Sequence, residues 1–521
     1  MTSRLELPDK LRTSRNQLST TVLVGILIAL TSFGYFSHYC TDMLFSSDAA
    51  DYVRVGKNGF AESYLDTGSA GLWGSLRIIR RHPEARIHFY DFLEQQDDAA
   101  PKRHWHVAPG LYGAAIASQF GADNRTYRLM MAVAGAAAIA AVFIGLRLAS
   151  VHLLLALATA VLAALSPAVV YASSTVAPHA PFLAALVASG FAFAQYLEHR
   201  KRAWGVATGV ALGFAVAACE LSVVIFAAFA LLLAWRAIRA GIKSTLDLLA
   251  VPAAALLATM TLLWPGGIFR GGYVLSYGAW CFNALFRRAK DFGEAASLGV
   301  VLTRGAQGSH IVLLLFVAIV IGVLILELSG RSNIHIQVFS WLVLGFFAQG
   351  MLNRFKNPTY VSHFVVLTWV LLALISQQWI TQAKARAHFA ALAAVSGVYL
   401  LLAIPASGWP AASARAGEEE QMHSDRVREV LALATKTIPP GATVLANYDY
   451  DIWGLYLPEN VVKHSMNASN LDPRPWVKMP EDYWIIADPR WLSPEWRDRL
   501  GALSPSISAG GFVVTHVSER N

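Results

Sequence analysis

Long apolar runs without a charged residue constrain the fold of this 521-residue chain more than any other feature. Four such runs, at residues 130–146, 153–165, 311–326 and 365–375, contain no Asp, Glu, Lys or Arg. With their flanks they approach the roughly 20 residues that a helix needs to cross the hydrocarbon core of a bilayer. A helix in a soluble core seldom stays apolar on every face for so long. The runs therefore predict a polytopic α-helical membrane protein.

The composition supports this prediction and excludes some other classes. Charged residues make up only 15% of the chain and hydrophobic residues 55%, so the polar surface is too small to cover a soluble globule of this size. The net charge is +8, but Lys and Arg cluster at the ends of the apolar runs, so we expect membrane lipids and no nucleic acid as partners. Cys40, Cys219 and Cys281 do not have the spacing of a metal site.

Apolar windows predict about eleven transmembrane helices. They lie near residues 20–40, 127–148, 153–171, 181–197, 204–218, 221–238, 248–264, 309–328, 335–351, 361–377 and 388–406. No small-residue cleavage site follows the first stretch, so we expect it to be retained. The Lys/Arg bias of the connecting loops places the N-terminus in the cytoplasm of an inner-membrane protein, and an odd number of spans places the C-terminus in the periplasm.

The predicted domains follow from this topology. Residues 1–19 form a cytoplasmic N-terminus, residues 20–406 the transmembrane domain with outer loops 41–126 and 265–308, and residues 407–521 a periplasmic segment. The last segment predicts a small α/β domain, with an amphipathic helix near 424–435 and strands at 443–445, 483–487 and 511–515. It has no Gly-rich phosphate loop and no nucleophile elbow, which favours a packing or acceptor-positioning module.

Two acids open the first outer loop, where the chain leaves the bilayer. Asp48 and Asp51 are three residues apart and would share one face of a short helix, next to Tyr52. Near a low-dielectric boundary and near each other, at least one could act as a general base. The alternative is a solvated acidic turn that caps an interfacial helix.

Histidines and cations occupy the other outer positions. His104 and His106 have no third ligand at a recognisable spacing, so no metal site is predicted and hydrogen-bonded interfacial histidines are favoured. Arg125 and Arg128, at the start of the second span, anchor that helix at the headgroups or contact a substrate.

Two more outer loops carry cations beside apolar spans: Arg270 in one, and Arg354 and Lys356, followed by His363, in the other. Such cations would hold an anionic lipid phosphate, unless they only snorkel to the interface. Glu220 lies between two apolar stretches, and a hairpin tip at the outer surface would let it reach water.

The order of the motifs resembles that of a known superfamily. Asp48-x-x-x-Tyr52 opens the first outer loop, His106, Pro109, Leu111 and Tyr112 follow, and Tyr127-Arg128-Leu129 enters the second helix. This order is similar to that of the GT-C integral-membrane glycosyltransferases, particularly the protein O-mannosyltransferase and aminoarabinose transferase branch. Ala49 stands where that branch often has Glu. Where that branch has two consecutive prolines, this sequence has only Pro109.

The resemblance implies transfer of a sugar from a polyprenyl-phosphate donor to a lipid, glycan or protein acceptor on the outer face, with inversion. Asp48, or Asp51, would be catalytic, and Arg270, Arg354 and Lys356 would hold the departing phosphate. The resemblance leaves a divalent cation open, because some GT-C branches use one. The substrate-binding residues would be the three cations together with Tyr52, His104, His106 and His363.

Two other classes of function remain open. The chain could be a non-enzymatic envelope transporter, flippase or scaffold, although transporters usually bind substrate near the bilayer midplane. It could also be an oligosaccharide polymerase or ligase, which would use a diphosphate-linked oligosaccharide instead of a monophosphate-linked monosaccharide.

Overall fold

The computed structural model describes most of the helical part of the chain and most of the C-terminal segment. The described residues are 6–44, 49–50, 53, 80, 124–240, 247–269, 271, 273–274, 277, 332–352, 359–383, 385–447, 450–465, 469–473, 479–502 and 506–518. The chain divides into two compact units, of which the first comprises residues 1–40, 128–259 and 296–414 and the second residues 41–127, 260–295 and 415–521. The bounds of the three segments of the second unit nearly coincide with those of the three segments that the sequence predicts outside the membrane. The side of the membrane on which they lie stays a prediction.

Helices make up the chain before the first strand, within the described residues. In chain order they are α1 (Glu6–Ser37), α2 (Asn124–Leu148), α3 (Leu153–Leu165), α4 (Pro167–Ser174), α5 (His179–His199), α6 (Arg202–Ala218), α7 (Ser222–Ala240), α8 (Ala250–Leu263), α9 (Pro265–Phe269), α10 (Ile334–Leu352), α11 (Thr359–Gln382), α12 (Ala385–Ala406) and α13 (Trp409–Thr437).

Five helices of the described part are long and apolar enough to cross a bilayer, or six if α3 and α4 form one span. The five are Ser19–Ser37, Asn124–Leu148, His179–His199, Ser362–Gln382 and Ala390–Thr437, where the last range runs through α12 and α13. Four apolar helices are shorter: Arg202–Ala218, Ser222–Ile238, Ala250–Leu263 and Ile334–Gln349. The predicted span at 309–328 lies outside the described residues. The structure therefore confirms a helical, membrane-type architecture, whereas the count of eleven stays a prediction.

The third predicted span, at 153–171, is not one helix. α3 ends at Leu165, α4 begins at Pro167, and their axes are bent by 64°. Ser166 between them is extended, with φ −62° and ψ 124°, which is the conformation that a residue before proline prefers. Pro167 is tolerated at the start of α4, where its missing N–H has no helical partner to lose. α3 and α4 together can still form the predicted span, which is then bent at Ser166 and Pro167.

A stripe of glycines brings α6 against α8. Gly205, Gly209 and Gly213 are spaced four residues apart and so share one face of α6. A Cβ atom on Gly209 would lie 2.2 Å from the carbonyl oxygen of Pro252, and one on Gly213 would lie 2.5 Å from the Cβ of Thr259. Small residues at this spacing allow the close backbone approach that stabilises helix pairs inside a membrane.

The C-terminal part of the second unit is an α/β arrangement around a five-stranded sheet. Its strands have the order β2-β1-β3-β5-β4, where β1 is parallel to β2 and β3, and β5 is antiparallel to β3 and β4. The elements are β1 (Thr443–Ala446), α14 (Tyr450–Tyr456), β2 (Val461–His464), β3 (Asp482–Ala487), α15 (Pro494–Ala502), β4 (Ser506–Ala509) and β5 (Phe512–Ser518).

The three predicted strands fall on β1, β3 and β5, and the predicted amphipathic helix is the C-terminal part of the longer α13. The centre of the sheet is apolar: Leu445 of β1 pairs with Ile485 of β3, and both side chains are buried. Leu471, Leu492 and Leu500 complete the same core cluster. Apolar packing therefore stabilises the sheet. The alternation of its strands with helices is expected for an α/β segment.

Candidate functional site

Most of the predicted site residues lie outside the part of the chain that the structure describes, and their roles stay predictions. These residues are Asp48, Asp51, Tyr52, His104, His106, Arg270, Arg354 and Lys356. His363 is described, and so are the residues that flank several of the others.

His363 lies in the first turns of α11 and is completely buried, with 0% of its surface exposed. Its ring stands edge-on to Phe182, with the centroids 4.8 Å apart, and lies 5.3 Å from the ring of His179 and 5.6 Å from that of Phe346. The side chain is therefore enclosed by α5 and α10. It belongs to the interior of the helical unit, and its assignment to substrate binding stays a prediction.

Glu220 lies in the same interior, at the tight turn between α6 and α7. Only 5% of its surface is exposed, and its carboxylate accepts a hydrogen bond from the Cys219 thiol at 3.6 Å. The expectation that Glu220 reaches water was wrong, because the turn has only three residues and its neighbours Cys219 and Leu221 are completely buried.

Arg128 is another charged side chain inside the helical unit. It is 4% exposed, and its Nη1 donates a hydrogen bond to the backbone carbonyl of Ser174 at 3.3 Å. Arg125, three residues earlier on α2, is exposed. Headgroup anchoring therefore fits Arg125 but not Arg128, whose guanidinium is turned towards the end of α4. A one-dimensional pattern cannot separate the two, because both stand at the mouth of the same helix.

The buried polar side chains share a location at helix ends. His179 begins α5, His363 stands near the beginning of α11, Glu220 precedes α7 and Arg128 stands near the beginning of α2. Burying an ionisable group in a low-dielectric interior is costly without partners, so such groups in a membrane protein are candidates for function. Within the described ranges, no three His, Cys, Asp or Glu side chains are grouped so that they could hold a metal ion.

The second unit shows how the beginning of the first outer loop is held. The backbone N–H of Leu44 donates to Ser424 Oγ at 2.9 Å, and Arg428 Nη2 donates to the backbone carbonyl of Asp42 at 2.5 Å. Met43 between them is 2% exposed. The described residues that follow, Ala49–Ala50 and Val53, are helical and buried. The chain on both sides of Asp48 is thus folded against protein.

Near Arg270 along the chain, Trp264 and Tyr273 are buried, whereas Phe269 is exposed. Trp264 is 1% exposed and its ring stands edge-on to that of Tyr273, at 4.9 Å between centroids. A Cβ atom on Gly267 would lie 2.5 Å from a ring carbon of Trp264. The short helix α9 can therefore pack this closely against the Trp264 ring only with glycine at this position. The Tyr273 hydroxyl donates to the carbonyl oxygen of Met260 at 3.3 Å. These contacts hold α9 against Tyr273 and the end of α8.

The chain has a helical unit with one bent pair of apolar helices, α3 and α4, and a C-terminal α/β part. This fold is similar to that of ArnT from Cupriavidus metallidurans. The structure of ArnT in the apo state aligns with a TM-score of 0.57 at 13% identity, covering 97% of this chain and 98% of ArnT. ArnT bound to undecaprenyl phosphate aligns with a TM-score of 0.58 at 13% identity, covering 95% of this chain and 97% of ArnT.

The sequence comparisons add a family match over part of the chain. Residues 109–270 match the family described as dolichyl-phosphate-mannose-protein mannosyltransferase. No curated protein matches the chain in sequence. The archaeal oligosaccharyltransferase AglB from Archaeoglobus fulgidus, in complex with an inhibitory peptide and a dolichol-phosphate, aligns with a TM-score of 0.47 at 13% identity, covering 89% of this chain and 69% of its own. The family match and the ArnT fold together confirm the resemblance to GT-C glycosyltransferases that the motifs predict.

Proposed function

We propose that this protein is a glycosyltransferase that moves a sugar from a polyprenyl-phosphate donor to an acceptor at the periplasmic face of the inner membrane. The observation that carries the proposal is the fold shared with ArnT bound to undecaprenyl phosphate, over 95% of this chain. The family match supports it, because it begins at Pro109 of the predicted loop motif and ends at Arg270.

The proposed reaction is a single displacement at the anomeric carbon. Asp48 takes the proton of an acceptor hydroxyl as that oxygen forms the new glycosidic bond. The bond from the anomeric carbon to the phosphate oxygen breaks, and the polyprenyl phosphate leaves with both bonding electrons. General-base catalysis of this kind contributes about 10²- to 10⁴-fold in rate. Because attack and departure occur on opposite sides of the carbon, the product is inverted.

We assign the departing phosphate to Arg270, Arg354 and Lys356. A guanidinium can hold two phosphate oxygens at once, and charges placed where negative charge develops lower the barrier by a few kcal/mol each, about 3 kcal/mol for a well-placed donor. A phosphate is a good leaving group and needs no general acid, so one carboxylate suffices. The reaction forms one glycosidic bond and breaks one bond to phosphate, so it needs no further reactant. Incubation with a chelator tests whether a divalent cation assists it.

Removal of the protein from its host is expected to delete one monosaccharide from an envelope lipid or glycan and to leave its polyprenyl-phosphate sugar unused. Mass spectrometry of the envelope, with and without the protein, measures both species and identifies donor and acceptor together. Restoring the wild-type chain is the control. Unchanged lipids and glycans would refute the proposal, and accumulation of a diphosphate-linked oligosaccharide would indicate a polymerase or ligase instead.

The proposed orientation makes a separate prediction. Alkaline phosphatase fused after Asn521 is expected to be active, because it folds only outside the cytoplasm, whereas a fusion after Lys201 is expected to be inactive. Both are assayed in whole cells and normalised to the amount of fusion protein. Activity of the Lys201 fusion combined with inactivity of the Asn521 fusion would reverse the orientation and move the proposed site to the cytoplasmic side.

A further inference from the structure

Helix α13 makes contacts of different kinds from two opposite faces. Ser424 and Arg428 are four residues apart and therefore lie on one face, while Arg426, two residues from each, projects about 200° away from them. All three residues have contacts within the second unit. The helix can therefore connect two structures of that unit.

The face with Ser424 and Arg428 holds the beginning of the first outer loop. Ser424 is 3% exposed and its hydroxyl oxygen accepts the backbone N–H of Leu44 at 2.9 Å. Arg428 donates to the backbone carbonyl of Asp42 at 2.5 Å and pairs with Asp425 on its own helix at 3.2 Å. Both loop contacts are to backbone atoms. They therefore fix the position of the backbone at Asp42 and Leu44 independently of the conformations of these two side chains.

The opposite face is joined to the sheet. Arg426 Nε donates to the carbonyl oxygen of Gly510 at 2.8 Å, its Nη2 lies 3.8 Å from Asp488 Oδ2, and its guanidinium lies 5.6 Å from the centre of the Phe512 ring. Gly510 has φ +55°, and a Cβ atom there would lie 2.2 Å from the carbonyl oxygen of Arg426. The backbones of α13 and of the β4–β5 turn are therefore in close contact, which leaves the helix little freedom to move against the sheet.

We propose that Ser424 and Arg428 are positioning residues that tie the α/β part to the chain just before Asp48. The inference rests on the proposed function, because it gives the tie a catalytic consequence. Asp48 is the fourth residue after Leu44, and four residues span at most about 14 Å, so a shift of the chain at Leu44 can be transmitted to Asp48. A misplacement of about 1 Å can cost about 100-fold in rate.

The test uses the full-length protein in detergent or nanodiscs with the substitutions Ser424→Ala, Arg428→Ala and Arg428→Lys. Alanine is compatible with the helix. It removes the hydroxyl group of Ser424, and in Arg428 it removes the guanidinium together with the aliphatic part of the side chain. We expect the two alanine variants to lower kcat about 10- to 100-fold, with an unchanged KM for the lipid-linked donor and an unchanged thermal unfolding temperature. Arg428→Lys retains a cationic donor and is expected to recover part of the loss.

Two controls separate this effect from a general one. Asp425→Asn removes the ion pair of Arg428 on its own helix but not the partner on the loop, and Lys436→Ala removes another exposed cation of α13. Both are expected to keep wild-type kcat. Hydrogen exchange gives a readout that does not depend on activity: the amides of residues 41–44 are expected to exchange faster in Ser424→Ala and Arg428→Ala than in either control.

The outcomes distinguish this inference from the proposed function. Faster exchange with a lower kcat supports the positioning role. Unchanged exchange, or faster exchange with wild-type kcat, overturns it. If the wild-type protein transfers no sugar while the exchange effect is present, the tie stands and the proposed function fails.

Discussion

Replacement of Asp48 by asparagine is expected to abolish sugar transfer while the protein stays inserted and folded. Asparagine has nearly the same shape as aspartate but cannot accept the proton of the acceptor hydroxyl. The loss of a general base costs about 10²- to 10⁴-fold in rate, which places the variant at the detection limit of a filter assay with a radiolabelled polyprenyl-phosphate sugar. The motif Asp48-x-x-x-Tyr52 is the reason for choosing this carboxylate.

Two neighbouring acids serve as comparisons for Asp48→Asn. Asp42 is exposed and its described contact is made through its backbone carbonyl, so Asp42→Asn is expected to retain wild-type turnover. Asp51→Asn tests the other candidate acid. Full turnover by Asp48→Asn would remove the assignment, and loss of turnover in Asp51→Asn alone would move the general base to Asp51. Equal thermal unfolding temperatures of the variants would show that the loss is chemical.

Replacement of Asp488 by alanine is expected to destabilise the α/β part by about 3 kcal/mol. Asp488 is completely buried at the end of β3, and its carboxylate accepts from Arg490 Nε at 2.9 Å and from the Arg490 backbone N–H at 3.1 Å. Arg426 lies 3.8 Å away. The side chains of Arg490 and Arg426 are 56% and 28% exposed, so both can turn to water once the acid is gone. The expected loss is therefore at the lower end for a broken buried pair.

Hydrogen exchange of peptides that cover β3 and β5 in the full-length protein measures this loss. Asp482→Ala is the matched control, because Asp482 is exposed at the beginning of the same strand and its loss is expected to change the stability by no more than about 0.5 kcal/mol. Equal protection in Asp488→Ala and wild type would show that the Arg490 and Arg426 contacts contribute no net stability. Protection lost equally in both variants would point to the strand rather than to the buried carboxylate.

The bounds of several helices could be predicted from the sequence to within a few residues, because the apolar pattern begins and ends with the helix. The predicted spans 127–148, 204–218 and 388–406 fall on α2, α6 and α12. Hydropathy did not predict the bend at Pro167, where a local covalent constraint interrupts the helix within a continuous apolar run. Short apolar runs with turn residues between them also predicted β1, β3 and β5, because the alternation of a half-buried strand is a local property.

The candidate site could be predicted only in its motifs. Asp48 and Tyr52 stand in a local pattern, so a reader of the sequence can find them. The buried rings of His179 and His363 are in contact although they belong to two different helices, and no spacing in the sequence joins them. For Glu220 the local pattern was misleading, since a hairpin tip in one dimension can be an interior position in three.

The sequence by itself determined that the chain is a polytopic membrane protein and determined its resemblance to the GT-C glycosyltransferases, because both depend on composition and on order along the chain. Only the tertiary structure decided which charged groups are buried and which parts of the chain hold each other. The contact between Leu44 and Ser424 joins residues 380 positions apart. A hydrogen bond of this kind depends on the folding of everything between its partners, so no local pattern encodes it.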